Sequence, residues 1–410
     1  MRQIKLLDKS ELPSDILEYL NATRFDIPID AHTSQQANIL YGESISYINN
    51  ILESLNLNAH FCIVYTDSFK TEVLQNSNCN YIIHDRAFGQ CINMLNRLFL
   101  YDCSFNTSLT YMHKFLSQIS SRYGFFNESV FLTNKYKSLR GKMDHVDKQG
   151  KNVEHAIFTK IQELFVLLHE VGHISLNNKS EFNSSVCEDV RNWLSEHESN
   201  IKSVPSPDAQ LLSEAGLNEV DPYEFESYFY DSKLSVSHII KNDKMIEEFS
   251  ADRLAFIYLL PYIKKSGHIN EVDAIKSIIL CFLHLRTLQL LEYSIGKEEN
   301  YSLYDRAKEF SLEPSLGFKF YNFRMQHIKY FMYDILGIKD NDRIILDKEI
   351  SKIMYRHSDL ILESCFSVFG AVFYDRKFRS KHQKEFIKIA KKMPSGYIAR
   401  RKITAIMHLI

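Results

Sequence analysis

His169-Glu170-Val171-Gly172-His173 sets two imidazoles four residues apart, with a carboxylate directly after the first. On a helix, side chains four apart share a face, with Cβ atoms about 5–6 Å apart. Both rings can then bind one metal ion, and Glu170 can reach a water on that ion. These residue types at this spacing point to metal-assisted hydrolysis, most often of a peptide bond. The competing account is a chance H-E-x-x-H, and the surrounding residues argue against it. Upstream, Ile157, Phe158, Ile161, Leu164, Phe165 and Leu168 follow the three-and-four spacing of a helix buried on one side. Gly172 costs roughly 1 kcal/mol relative to alanine in a helix interior. That cost makes sense if another backbone or a substrate must approach beside the second histidine. Asn177 and Asn178 supply a stop just after the motif.

A third ligand decides the class. The pattern H-E-x-x-H-x-x-G-x-x-H is excluded, because Leu176 stands where the glycine should be and Lys179 where the histidine should be. Downstream, Glu248 and Asp252 are again four apart, in a segment rich in apolar residues (Phe249, Leu254, Ala255, Phe256, Leu259, Leu260). Glu248 can complete a His₂Glu zinc site with a fourth position left for water. Asp252, one turn on, can accept the free ring N–H of a ligand histidine, fixing its tautomer and raising its basicity. Glu247 competes for the ligand role but puts the aspartate five residues away. In the plainer account, Glu247, Glu248 and Asp252 are surface acids of an amphipathic helix.

HEVGH followed by E-x-x-A-D (Glu248 to Asp252) resembles the gluzincin zinc metallopeptidases, whose active-site helices carry such a pair of motifs. The resemblance covers residues 155–178 and 243–262. It implies that His169, His173 and Glu248 bind Zn²⁺, that Glu170 is the general base and that Asp252 supports a ligand histidine from behind. Within that group the chain looks closest to soluble cytosolic members, the Lit-like phage-exclusion peptidases and the ImmA/IrrE-like peptidases, which implies phage defence or stress signalling and a protein or peptide substrate. The expected chemistry follows from the ligands. Zinc lowers the pKa of its water and polarises the scissile carbonyl. Glu170 takes the proton and later delivers it to the leaving amine. The oxyanion needs a further donor; Tyr293, Tyr321, Arg324 and His327 lie on later helical segments within possible reach, and each taken singly reads better as structural.

The elements that must position these groups are mostly helical. The expected fold is α+β, mostly α-helical: a zincin-like catalytic core with a small β-sheet and a helical C-terminal region. Thr33 to Leu57, Ala87 to Leu100 and a segment ending at Tyr123 read as helices. His60 to Tyr65 (HFCIVY) and Tyr81 to His84 (YIIH) read as short strands separated by a polar turn around Asn76–Asn80. These two strands are expected either to form an edge beside the cleft, where an extended substrate adds as a strand, or merely to roof the core. Asn134 to Lys151 reads as a polar link. Four parts result: an N-terminal α/β part (1–150), active-site helices (151–178 and 243–300), an acidic insertion (179–242) and a helical C-terminal region (301–410).

Charge is distributed unevenly. Glu181 to Asp231 holds twelve Asp or Glu against two Lys or Arg, a net of about −10, together with several prolines and aromatics. This insertion reads as a lid, a substrate selector or an inhibitory plug, or as a solvated loop with one short helix. Arg376 to Lys402 holds eleven Lys or Arg against one Glu, a net of about +10. Such a stretch suits nucleic acid, an acidic protein or the acidic insertion, with a solvated helical face as the default. The whole chain has a formal net charge of −2, so it carries no global nucleic-acid footprint. A non-proteolytic interaction protein with a relic zinc site, or a nucleic-acid-associated factor using the basic tail, are the alternative functions. The start is polar and no apolar run approaches ~18 residues, so a cytoplasmic protein without membrane spans is expected. Seven scattered cysteines without a C-x-x-C pair read as reduced, mostly buried thiols.

Overall fold

The computed structural model describes residues 6–24, 26, 31–66, 68–76, 79–101, 105–122, 125–141, 154–177, 181–196, 236–267, 269–296 and 314–357, with 364 and 368. Helices dominate, and one small mixed sheet accompanies them, so the fold is α+β and mostly α. Strand β1 (Leu6–Leu7) precedes helices α1 (Ser14–Thr23) and α2 (Ala31–Ser54). Strands β2 (Ala59–Val64), β3 (Thr71–Asn76) and β4 (Cys79–Asp85) follow, then helices α3 (Arg86–Leu100), α4 (Phe105–Arg122) and α5 (Phe126–Arg140). The long helix α6 (Glu154–Asn177) carries the histidine motif. After it come α7 (Glu181–Glu196), α8 (Val236–Ile240), α9 (Asp243–Ser266), α10 (Glu271–Gly296), α11 (Pro314–Ile335) and α12 (Asp340–His357).

The sheet order is β1-β2-β4-β3. The first three strands in that order run parallel, and β3 lies antiparallel to β4. Both faces of the inner strands are covered, which is why β2 and β4 read as nearly continuous apolar runs. Phe61 and Ile82 point into the main core with Phe165 and Leu168, whereas Cys62, Val64 and Ile83 pack against Leu12, Ile16 and Leu20 around α1. This order corrects one expectation. The two strands legible in the sequence are interior, and the edge on the α6 side is β3, a segment (TEVLQN) with polar residues on both faces. Asn76 pairs with Cys79, so Asn76, Cys79 and Asn80 of the expected turn belong to strands, and 77–78 lie outside the described residues.

Helix α6 is buried on more than one side beyond its first turns, where Glu154 and Ala156 remain exposed. It packs on α9, α3, α10 and the sheet, and Leu164, Leu167, Leu168 and Val171 are fully buried. Each such side chain contributes about 1.5–3 kcal/mol of burial. A polar seam fixes its position. Gln162 Nε2 donates to the Ser277 carbonyl (2.9 Å) on α10, and Asn96 Nδ2 on α3 donates to Gln162 Oε1 (2.7 Å) and Thr159 Oγ1 (3.0 Å). Buried amides satisfied on both sides discriminate against other helix registers.

Two further expectations change. The polar link predicted from Asn134 is helical as far as Arg140, where α5 ends, and 142–153 lie outside the described residues. The acidic insertion begins as a packed helix: Val190, Trp193 and Leu194 of α7 join Met245, Ile246 and Phe249 of α9 in a second apolar cluster. Its middle (197–235) and the basic stretch 376–402 lie outside the described residues. The five described cysteines are free thiols, and burial pushes Cys62 up to about 12; Cys103 and Cys365 lie outside the described residues. Among the described residues no helix is long and apolar enough to cross a membrane.

Candidate metal centre

The site forms where α6 crosses α9. Gly172 lets the two backbones touch: a Cβ built on it would lie 3.0 Å from the Cα and carbonyl oxygen of Ala251 and 3.2 Å from its Cβ. Glycine is thus required by the close approach of another helix, one of the two reasons its cost suggested. Asn242 caps α9 through its side-chain oxygen, which accepts from the Lys244 and Met245 amides, and so starts the helix in register with α6.

That register turns Glu248 toward both histidines. His169 Nε2 and His173 Nε2 lie 3.1 Å apart. Glu248 Oε1 is 3.4 Å from His173 Nε2, and Glu248 Oε2 is 3.5 Å from His169 Nε2. A tetrahedral zinc ion with ligand distances of about 2.0–2.1 Å spaces its ligand atoms about 3.3–3.4 Å apart. The two imidazole nitrogens and the Glu248 carboxylate, which meets each nitrogen through a different oxygen, therefore stand at separations close to those between the vertices of such a tetrahedron. His169, His173 and Glu248 are the one such group of three among the described residues.

Each ring has a carboxylate at its other nitrogen. Asp252 Oδ1 lies 2.9 Å from His169 Nδ1, at ion-pair distance but off the axis of the ring N–H. Glu247 Oε1 lies 2.9 Å from His173 Nδ1. A carboxylate thus stands behind each ring, and in the neutral form it draws the ring proton to Nδ1 and leaves the Nε2 lone pair to face Glu248. Converging electron pairs of this kind call for positive charge between them. Glu247 is thus placed behind a histidine, not in the ligand position for which it competed in the sequence.

A third helix, α11, enters the site through Arg324, weighed in the sequence as an oxyanion donor and not as a partner of Glu248 and Asp252. Arg324 Nε and Nη2 donate to Asp252 Oδ2 and Oδ1, both at 2.8 Å, and its Nη1 lies 2.7 Å from Glu248 Oε2. His327, one turn on, accepts from Arg253 Nε at 2.9 Å. Of the four residues weighed as oxyanion donors, Arg324 and His327 are engaged in these pairs. Tyr321 lies beside the Arg324 guanidinium (5.5 Å to the ring centroid), and the Tyr293 side chain lies outside the described residues.

The electrostatics follow from these partners. Burial opposes protonation of His173, but its contacts with Glu247 and Glu248 outweigh that and hold its pKa well above 6.5. His169 is raised for the same reason, with Asp252 and Glu248 outweighing burial. Burial also works to raise Glu248, yet the Arg324 charge and the two histidines hold it well below the usual carboxylate range. Glu170 moves the other way: burial pushes its carboxyl up, partly offset by the two histidines. Two glutamates in one site thus have opposite proton affinities, the usual arrangement when one must stay charged and the other must exchange a proton.

A second polar cluster sits two turns back along α6. Tyr41 donates to Glu163 Oε1 at 2.5 Å, His84 Nε2 of β4 lies 3.4 Å from the same oxygen, and His84 Nδ1 pairs with Thr71 Oγ1 of β3 at 2.9 Å. Gly89 of α3 makes room for the carboxylate, since a Cβ there would meet Glu163 Oε1 at 1.8 Å. This chain of contacts ties the edge strand to the histidine-bearing helix. No protein-family model, curated protein or solved structure matches the chain.

Proposed function

We propose that this protein is a zinc-dependent endopeptidase of the gluzincin type, with His169, His173 and Glu248 as metal ligands and Glu170 as the general base. The observation that carries the reading is the convergence of two imidazole nitrogens and one carboxylate at near-tetrahedral separations, each ring backed by a second carboxylate. Two nitrogens and one oxygen are a donor set that suits zinc. A zinc ion held there supplies a water that ionises near neutral pH and a Lewis acid for the scissile carbonyl.

The chain's own residues supply the rest. Glu170, buried and with its proton affinity raised, accepts the proton of the attacking water and returns it to the leaving amine. Glu247 and Asp252 hold the imidazoles in one tautomer. The outer edge of β3 meets no other strand among the described residues. An extended substrate segment can add there by main-chain hydrogen bonds, which favours a peptide over a small molecule. A cytoplasmic setting, a specific protein target and a role in phage defence are carried by the resemblance of the two motifs.

Glu170→Gln tests the reading. The variant is expected to retain stoichiometric zinc in elemental analysis and to lose cleavage of any protein whose fragments appear when the wild type is expressed. Survival of those fragments, or of the associated phenotype, in the Gln variant rejects catalysis by this site.

A further inference from the structure

We propose that Arg324 is the positioning residue of this centre: one guanidinium from α11 holds both the third ligand, Glu248, and the carboxylate behind His169, Asp252, and thereby sets how tightly the site binds a divalent cation. This deepens the metal-site reading above and rests on it. The guanidinium uses one edge, Nε and Nη2, as a two-pronged donor to Asp252 and turns Nη1 to Glu248 Oε2. It is buried and lies against Phe282, Phe320 and Tyr321. Only a planar fork can satisfy two carboxylates in this way; an ammonium is a point charge with no fixed donor directions.

Two effects oppose each other here, and they separate experimentally. A positive charge beside a cation site repels the cation. Against this, the fork fixes Glu248 one turn from Asp252 and engages its Oε2, so that Glu248 is held facing both imidazoles. In the positioning account geometry outweighs repulsion. The α9–α11 contact is also made a second time, by Arg253 and His327. A variant there reports what general loosening of α11 does without touching either carboxylate.

The test uses the full chain as Arg324→Lys, which keeps the charge and removes the fork, with His327→Phe as comparator. Zinc affinity is read by competition with a chromogenic chelator, and the histidine tautomers by long-range ¹⁵N–¹H correlation spectra of the metal-free proteins at a pH where the rings are neutral. We expect Arg324→Lys to lose tenfold to a hundredfold in zinc affinity, the range for partners behind a ligand. We also expect it to lose the single Nδ1–H tautomer of His169, while His327→Phe stays within about threefold of wild type. Wild-type affinity in Arg324→Lys, or an equal loss in His327→Phe, overturns the proposal. Should the wild type bind no zinc, the metal reading fails. The inference about Arg324 is then decided by the spectra alone, and an unchanged His169 tautomer in the Lys variant rejects it.

Discussion

Gly172 and Ala251 meet backbone to backbone, with 3.0 Å between the Ala251 carbonyl oxygen and the place a Gly172 Cβ would occupy. The spacing of the candidate ligands is therefore set by main chain touching main chain. Gly172→Ala pits a helix-propensity gain of about 1 kcal/mol against an overpacking cost of about 1–3 kcal/mol. Because the obstructing atoms belong to a backbone and cannot swing aside, the cost wins. We expect a net loss of about 1 kcal/mol, seen as a Tm about 2 °C lower, together with weaker zinc binding in chelator competition. A stabilised variant with unchanged affinity contradicts this account of the crossing.

Ligand and supporting residues should differ in degree. His169→Ala, His173→Ala and Glu248→Ala each remove a converging donor and are expected to abolish stoichiometric zinc in elemental analysis. Glu247→Ala removes only the acceptor behind His173 and is expected to weaken zinc about 10–100-fold without abolishing it. Full retention of zinc in Glu248→Ala, or its complete loss in Glu247→Ala, would exchange the two assignments.

Metal-free and zinc-loaded protein should respond oppositely to pH. His169 and His173 have folded pKa values raised above 6.5. Their protonation therefore stabilises the metal-free protein fully below about pH 6.5 and ceases to do so as pH rises through the raised values. Zinc needs both rings neutral at Nε2, so its affinity increases over the same interval. The zinc-induced rise in Tm is expected to grow from pH 6 to pH 8, read by calorimetry with and without chelator. A zinc increment that shrinks with rising pH refutes the histidine ligands.

The Glu163 cluster offers a test of the edge strand. Tyr41→Phe removes the donor to Glu163 Oε1 and leaves a buried carboxylate short of a partner, at a cost of about 1–3 kcal/mol. Hydrogen exchange is expected to speed up in β3 more than in β2, because the contact chain from Glu163 through His84 ends at Thr71. Uniform acceleration across the sheet would mean that the cluster merely fills the core.

Much of the centre is legible in the sequence because it repeats at helical spacing. His169 with His173 and Glu248 with Asp252 each share a face, and the apolar residues between them announce two long helices. What the sequence conceals depends on contacts between remote segments. Arg324 reads as one of four candidate oxyanion donors, and its grip on Glu248 and Asp252 appears only when α11 lies across α9. Glu247 reads as a rival of Glu248, because spacing along α9 does not reveal which ring nitrogen each carboxylate meets. In the sheet, β2 and β4 stand out through burial on both faces, whereas β3 mixes Thr71, Glu72 and Gln75 with Val73 and Leu74 as an edge strand does, and escapes a search for apolar runs. The two residues of β1 are too few to form a pattern.

The order of the three contributing helices along the chain has a bearing on biosynthesis. Synthesis runs from the N-terminus and early regions fold first, so both histidines of α6 and Glu248 of α9 leave the ribosome well before the guanidinium of α11. A nascent chain at that stage carries every coordinating atom but lacks the side chain that joins Glu248 to Asp252. If the proposed centre holds an ion, its final geometry forms only once α11 has emerged, and a polypeptide arrested ahead of Pro314 is expected to bind zinc more weakly than the full chain although its signature motifs are complete.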